Sequence, residues 1–223
     1  MDISQEQLIY HRGLHDTPGR TVGAKENTLS AFERAIAAGA HMIEFDVWED
    51  LKISHDPGNP RAPTLPEALA RIDGRAHVNI EIKSPRMREA TLEIVRRSFA
   101  RGHWCPEQFV ISSFHHETVR LVKKEFRYLK VGAIMDAIPL PGYLDLLASA
   151  SIDQVHIEWM NPLMDTEGGL IFRDLARSLG MPIWVWTVND RGAAKFALRY
   201  GAEKLFTDRP DVLLAKTRQY QRS

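Results

Sequence analysis

Residues 41–47 read His-Met-Ile-Glu-Phe-Asp-Val, and residues 78–83 read Val-Asn-Ile-Glu-Ile-Lys. Both runs are short and rich in β-formers, and in both the charges fall on alternate positions. In a strand, successive side chains point to opposite faces, so Glu44 and Asp46 share one face, and Glu81 and Lys83 share another. Phe45 and Ile82 then point the other way. Charged residues on the inner face at the C-terminal end of a strand, with apolar residues on the outer face beneath covering helices, make the pattern of a (β/α)₈ barrel strand.

Working outward from these two runs, strands and helices alternate along the whole chain. Strand-like runs occur at 8–11, 41–47, 78–82, 109–113, 131–135, 155–158, 183–188 and 204–207. The segments between them carry helical periodicity. Asn27 is read as the cap of a helix that presents Leu29, Phe32 and Ile36 on one face and closes at Gly39. Thr64-Leu65-Pro66-Glu67 is a capping box opening the next helix. Further helices are expected at about 87–101, 115–127, 142–149, 168–179, 190–200 and 210–218. The expectation is an α/β fold, a (β/α)₈ TIM barrel, with residues 1–223 as one domain and no inserted capping subdomain. An open doubly wound sheet would call for a Gly-rich first turn, whereas the first strand ends in His11-Arg12-Gly13.

Composition narrows the function. The chain has 44% hydrophobic residues, enough to bury a core, and 29 basic against 29 acidic side chains. That neutrality argues against bulk-charge binding of nucleic acid. Cys105 is the one cysteine, which excludes an internal disulfide and Cys-based zinc sites; it is expected to be a buried thiol. Residues 1–7 show no basic stretch followed by an apolar core, and no run approaches the ~18 apolar residues that span a bilayer. The sequence predicts a cytoplasmic protein without stable membrane insertion. It leaves the oligomeric state open.

Chemistry is expected at the C-terminal ends of the strands. Strand one ends in His11-Arg12, strand two in Glu44-Phe45-Asp46 with His55-Asp56 soon after, and strand three in Glu81-Ile82-Lys83. Three carboxylates converging in a barrel repel one another and lose hydration, at several kcal/mol per ion. One divalent cation is the natural compensation, and an all-oxygen set suits Mg²⁺ or Ca²⁺. The alternative is a buried network in which Glu44, Asp46 and Glu81 pair with Arg12 and Lys83. His11 and His55 are the candidate acid and base, because one imidazole can accept a proton while the other donates one near neutral pH. His41 and His77 begin strands at the opposite end and are assigned no chemistry. His103, His115 and His116 are read as surface or packing residues, and His15 is a remote candidate near the first loop.

These residues carry a resemblance. His11-Arg12-Gly13, Glu26-Asn27-Thr28-Leu29, Ile43-Glu44-x-Asp46-Val47, His55-Asp56 and Glu81-Ile82-Lys83 are similar, in order, to the motifs of the glycerophosphodiester phosphodiesterase family. Pro63-Thr64-Leu65, Ser112-Ser113-Phe114, Trp186-Thr187-Val188-Asn189 and Thr207-Asp208-Arg209-Pro210 extend the likeness over nearly the entire chain. The resemblance implies a metal-dependent hydrolase that splits a small-molecule glycerophosphodiester into sn-glycerol 3-phosphate and an alcohol. It implies Glu44, Asp46 and Glu81 as metal ligands, His11 and His55 as the acid/base pair, and Arg12 and Lys83 on phosphate oxygens. Trp186 and Phe114 are read as walls for the glycerol or headgroup, with core packing as the alternative. Glu26 is placed against Arg12, Asn189 as a helix cap, and Thr207-Asp208 as a turn and cap closing strand eight.

Two departures from the family pattern stand out. The segment from Asp46 to His55 is short, Val-Trp-Glu-Asp-Leu-Lys-Ile-Ser, without the family's usual Thr-x-Asp-Gly turn. Six residues separate Asp56 from Pro63, where some members insert a subdomain, so an open mouth is expected. Three rivals are weaker. A phosphosugar isomerase or aldolase would favour Gly-rich loops after strands seven and eight, which here read Val-Asn-Asp-Arg-Gly and Thr-Asp-Arg-Pro. A lysophospholipid-directed relative releasing a cyclic phosphate would be expected to show an apolar loop tip, and none is evident. A barrel that only binds its ligand would have no use for two histidines at the rim.

Overall fold

A computed structural model of the protein describes residues 2–100, 102–158 and 166–215. Its strands are β1 (Leu8–Tyr10), β2 (Met42–Val47), β3 (His77–Ile82), β4 (Phe109–Ser113), β5 (Lys130–Met135), β6 (Gln154–Glu158), β7 (Ile183–Trp186) and β8 (Ala202–Thr207). They close in chain order into a barrel, with β8 pairing β1 in parallel. The helices are α1 (Leu29–Ala37), α2 (Leu65–Ile72), α3 (Arg88–Phe99), α4 (His116–Glu125), α5 (Pro141–Ser149), α6 (Glu167–Ser178), α7 (Arg191–Tyr200) and α8 (Pro210–Leu214). The eight-stranded α/β barrel expected from the sequence is therefore the observed fold; positions 216–218 of the last expected helix lie outside the described residues.

Helix starts follow side-chain chemistry. At α2 the expected box forms, with the Thr64 N–H donating to Glu67 Oε2 at 2.8 Å. At α1 the cap is Thr28, whose hydroxyl accepts from the Ala31 N–H at 3.3 Å, and not Asn27. Asn27 instead adopts a left-handed backbone, φ 54°, and turns its amide into the barrel mouth. At α7 the cap is Asp190, accepting from the N–H groups of Gly192 and Ala193, so Asn189 is free for another role.

Two apolar regions hold the barrel. The outer one, between strands and helices, contains Phe32, Phe45, Val78, Ile80, Ile82, Val119 and Val131, all fully buried. Phe45 and Ile82 point outward as the strand parity requires; Phe45→Ala would cost about 3–5 kcal/mol. The inner one is small: Ile9, Met42, Val110, Trp184 and Phe206, with Trp186 against it. Ile9 and Met42 lie one inward position before His11 and Glu44, so this plug fills the barrel below the polar mouth. β7 ends at Trp186, two residues earlier than the apolar run suggests. Val188 has left the strand and packs in the outer region, so it does not share a face with Trp184.

Cys105 is exposed, contrary to expectation, because it precedes the Pro106–Gln108 turn and so lies outside a strand. His41 and His77 stack at 4.6 Å where β2 and β3 begin, far from the mouth, as expected. Among the described residues no helix is long and apolar enough to cross a membrane.

Candidate active site

Strand register builds the acidic cluster. Asp46 on β2 is the direct partner of Glu81 on β3, and Glu44 lies one inward position before Asp46. Glu44, Asp46 and Glu81 are 2%, 1% and 8% exposed, and each offers an oxygen within 4.8 Å of the others. At that separation two full charges repel by about 3.5 kcal/mol at an effective dielectric near 20. Two bases oppose this repulsion. Lys83 Nζ lies 3.1 Å from Asp46 Oδ1 and 2.7 Å from Glu81 Oε1, while Arg12 Nε is 3.3 Å from Asp46 Oδ2. Arg12 Nη1 donates to Glu26 Oε2 at 2.9 Å, the expected pairing. The Arg12 N–H donates to Glu44 Oε2 at 3.0 Å from a left-handed backbone, φ 57°. Gly13 follows because a Cβ there would come within 2.9 Å of Ala31.

Burial, then the charges of Asp46 and Glu81, push the Glu44 carboxyl well above the usual carboxylate range. Burial and then Asp46 raise Glu81 to about 7. Burial acts the same way on Asp46, but Lys83 and Arg12 outweigh it and hold Asp46 low. The salt bridges expected of these acids with Arg12 and Lys83 are present at Asp46 and Glu81. Asp46 Oδ1 and Glu81 Oε1 are shielded from solvent, and Lys83 Nζ reaches both, at 3.1 and 2.7 Å. Oxygens sharing a cation at ~2.1–2.6 Å stand no more than about 5 Å apart, so the trio fits a single hard ion.

His11 directs Nδ1 at Asp208 Oδ1, 2.8 Å away, and Nε2 toward Glu44 Oε2 at 3.9 Å. His55 is half exposed, with Nδ1 3.0 Å from Asp56. The short 47–54 segment still delivers it. Asp50 and Leu51 take left-handed conformations, Val47 bridges Ile53, and the Ser54 N–H donates back to the Asp46 carbonyl at 3.1 Å. Trp48 Nε1 then holds the His55 carbonyl at 2.8 Å.

His11, Arg12, Glu44, His55, Glu81, Lys83, Phe114 and Trp186 all line one cavity of about 230 Å³. Asp46 is not in that lining but contacts Arg12 and Lys83, which are. Phe114 and Trp186 meet edge to face at 5.7 Å, and Lys83 Nζ lies 5.7 Å from the Phe114 ring centre. Trp186 combines both readings made of it, since it lines the cavity and also packs on the inner plug.

The sequence reading missed several residues. Asn27 Nδ2 donates to Asp46 Oδ2 at 2.8 Å, which fixes a carboxylate of the trio. Asp208, read as a turn former, receives His11, and Asn189 Nδ2 donates to its other oxygen at 2.8 Å. Both lie inside motifs that were recognised, so the signal was present while the role was assigned to helix ends. Asn79 and His156 also line the cavity. His156 is fully buried and stacks on Trp184 at 4.8 Å, and burial drives its pKa down to about 3, so it is a neutral ring. Glu158, on the same strand face, is only partly buried at the end of β6. The loops are also less polar than expected. Leu140, just before α5, is 83% exposed and with Phe114 and Leu146 lines an apolar groove beside the mouth. Its flanking prolines disguise it in sequence as a turn.

A parallel barrel with buried acids, bases and imidazoles gathered at the C-terminal ends of its first three strands belongs to the class of (β/α)₈ enzymes. A sequence model of the glycerophosphoryl diester phosphodiesterase family matches residues 11–49 and 48–212, and the chain belongs to that family. A glycerophosphodiester phosphodiesterase of Caldanaerobacter subterraneus is 25% identical over 95% of this chain and 98% of its own length. The crystal structure of a glycerophosphodiester phosphodiesterase from Parabacteroides distasonis superposes with a TM-score of 0.75 at 20% identity, covering 93% of this chain and 94% of that one. A phosphodiesterase of Oleispira antarctica, solved in complex with the product sn-glycerol-3-phosphate, gives 0.73 at 21% identity over 93% of this chain and 94% of that one.

Proposed function

We propose that this protein hydrolyses glycerophosphodiesters to sn-glycerol 3-phosphate and an alcohol, with Glu44, Asp46 and Glu81 holding one divalent cation and His11 and His55 moving the protons. The observation that carries this reading is the convergence of three buried carboxylate oxygens within 4.8 Å, two of them, on Glu44 and Glu81, in a cavity that His11 and His55 also line. Family membership and the product held by the Oleispira relative support the substrate class. Mg²⁺ and Ca²⁺ both suit the all-oxygen set. When bound, the ion would supply Lewis-acid stabilisation of several kcal/mol.

The chain's own residues do the remainder. Arg12 and Lys83, both charged and facing the cavity, neutralise charge that builds on the phosphoryl oxygens. Their burial disfavours the charged form, but the neighbouring acids outweigh it and raise both pKa values, so neither base loses its proton near neutrality. His11 presents Nε2 because Nδ1 is engaged by Asp208. One histidine takes the proton from the oxygen attacking phosphorus. The P–O bond to the alcohol breaks, and the other histidine protonates the departing oxygen. Phe114 and Trp186 give the substrate an apolar wall. The same reading treats residues 1–223 as one catalytic domain acting on a small molecule in the cytoplasm.

General acid–base catalysis is worth about 10²–10⁴-fold. His11→Ala and His55→Ala should each lower kcat by that order while circular dichroism and the melting temperature stay near wild type. Near-normal turnover in both variants would refute the assignment.

A further inference from the structure

Asp208, just beyond β8, touches two imidazoles at once: Oδ1 is 2.8 Å from His11 Nδ1 and 3.3 Å from His15 Nε2. Its place is fixed from several sides. Asn189 Nδ2 donates to Oδ2 at 2.8 Å, and the Asp208 N–H donates to Asn189 Oδ1 at 2.8 Å. Arg20 Nη2 donates to the Asp208 and His15 carbonyls, at 2.7 and 2.6 Å. An ionised carboxylate only accepts hydrogen bonds. His11 therefore carries a proton on Nδ1, leaving Nε2 directed at the cavity.

His15 is more unusual. It is 6% exposed, and both ring nitrogens face acceptors: Nδ1 the Asp16 carbonyl at 3.0 Å and Nε2 Asp208 Oδ1. A neutral imidazole has one N–H and would turn a lone pair toward one of these oxygens. The contacts are satisfied together only by the imidazolium. Hydrogen bonding to Asp208 acts in the same direction, overcoming a burial effect that would lower the His15 pKa.

We infer that His15 is a charged positioning residue which, together with Asp208, locks His11 in the Nδ1–H tautomer and aims Nε2 at the substrate. The inference rests on the catalytic role proposed above for His11. Neither His15 nor Asp208 lines the cavity, whereas His11 does, so they act through the ring of His11.

The test combines nitrogen-15 spectra of histidine-labelled protein at pH 7 with kinetics on glycerophosphoethanolamine in Mg²⁺. Wild-type spectra should show His11 protonated on Nδ1 and His15 protonated on both nitrogens. Asp208→Asn can donate to Nδ1 and so favours the wrong tautomer; kcat should fall by about 10³–10⁴-fold. KM should stay within about threefold, as for a loss confined to the transition state. His15→Gln keeps a donor but not the charge and should fall between wild type and Asp208→Asn in kcat. A neutral His15, an Nε2–H His11 in wild type, or kcat within about threefold of wild type in Asp208→Asn would overturn the inference. Should Asp208→Asn not fold, the wild-type spectra decide alone. A wild-type protein that cleaves no glycerophosphodiester would overturn the functional reading, and the spectra would still judge the tautomer.

Discussion

Glu81→Gln probes the acidic trio through stability as well as activity. In the cation-free protein Glu44, Asp46 and Glu81 lie close enough for each pair of charges to repel by about 3.5 kcal/mol, against which Lys83 and Arg12 act. A divalent ion bound at 100 times its Kd stabilises the fold by about 2.7 kcal/mol, or roughly 5–10 °C in a chain of this length. Removing one of three carboxylates and weakening affinity ~100-fold leaves about 0.4 kcal/mol at the same concentration, roughly 1 °C. Glu81→Gln keeps the Lys83 to Asp46 contact, so the fold should survive. Protonation adds a second signature. Folded Glu81 keeps its proton up to about pH 7, whereas the unfolded chain releases it near 4.5. Between those values the fold binds more protons than the unfolded chain, so the contribution of Glu81 to the stability of the cation-free wild type falls as pH rises from about 4.5 to about 7, and Glu44, raised in the same direction, adds to the fall. The size is on the order of 3 kcal/mol, and the slope should shrink in Glu81→Gln. Scanning calorimetry of chelated protein across pH 4.5–8, then with Mg²⁺ or Ca²⁺ added, measures both effects. An equal cation-induced shift in wild type and Glu81→Gln would refute the reasoning.

Two further substitutions test the support of the site. Asn27→Gly keeps the left-handed backbone but removes the donor to Asp46, so divalent affinity by calorimetric titration should drop about 10–100-fold; unchanged affinity would mean that Asn27 does not orient the ligand. Gly132→Ala would place a Cβ 2.4 Å from His156 Nε2, and the resulting overpacking should cost about 1–3 kcal/mol in denaturant melts. No loss of stability there would show that the His156–Trp184 stack yields freely.

Much of this architecture was legible in the order of residues. Alternating charge in β2 and β3 fixed which faces Glu44, Asp46, Glu81 and Lys83 share, because strand parity is a local property. Register is not local. Asp208 meets His11 across 197 positions only because β8 closes on β1, and no periodicity in either segment announces that pairing. Asn27 and Thr28 are both competent helix caps, and competition between a helix end and a buried carboxylate decided between them in three dimensions. β7 was read too long because apolar spacing continues through Val188 after the chain has left the sheet. Cys105 was misplaced for a related reason: side-chain type alone does not tell a residue beside a proline turn from one inside the core.

Turnover is the most direct measure of the central claim, that three acids and two imidazoles form one cation-dependent phosphodiester-cleaving site. The protein should be freed of metal with chelator and offered a panel of glycerophosphodiesters, with sn-glycerol 3-phosphate quantified before and after Mg²⁺ or Ca²⁺ is restored. The account predicts release of sn-glycerol 3-phosphate that vanishes on chelation and returns with the cation. Cleavage that proceeds unchanged in thoroughly chelated protein, or no cleavage of any diester with either ion present, would contradict it.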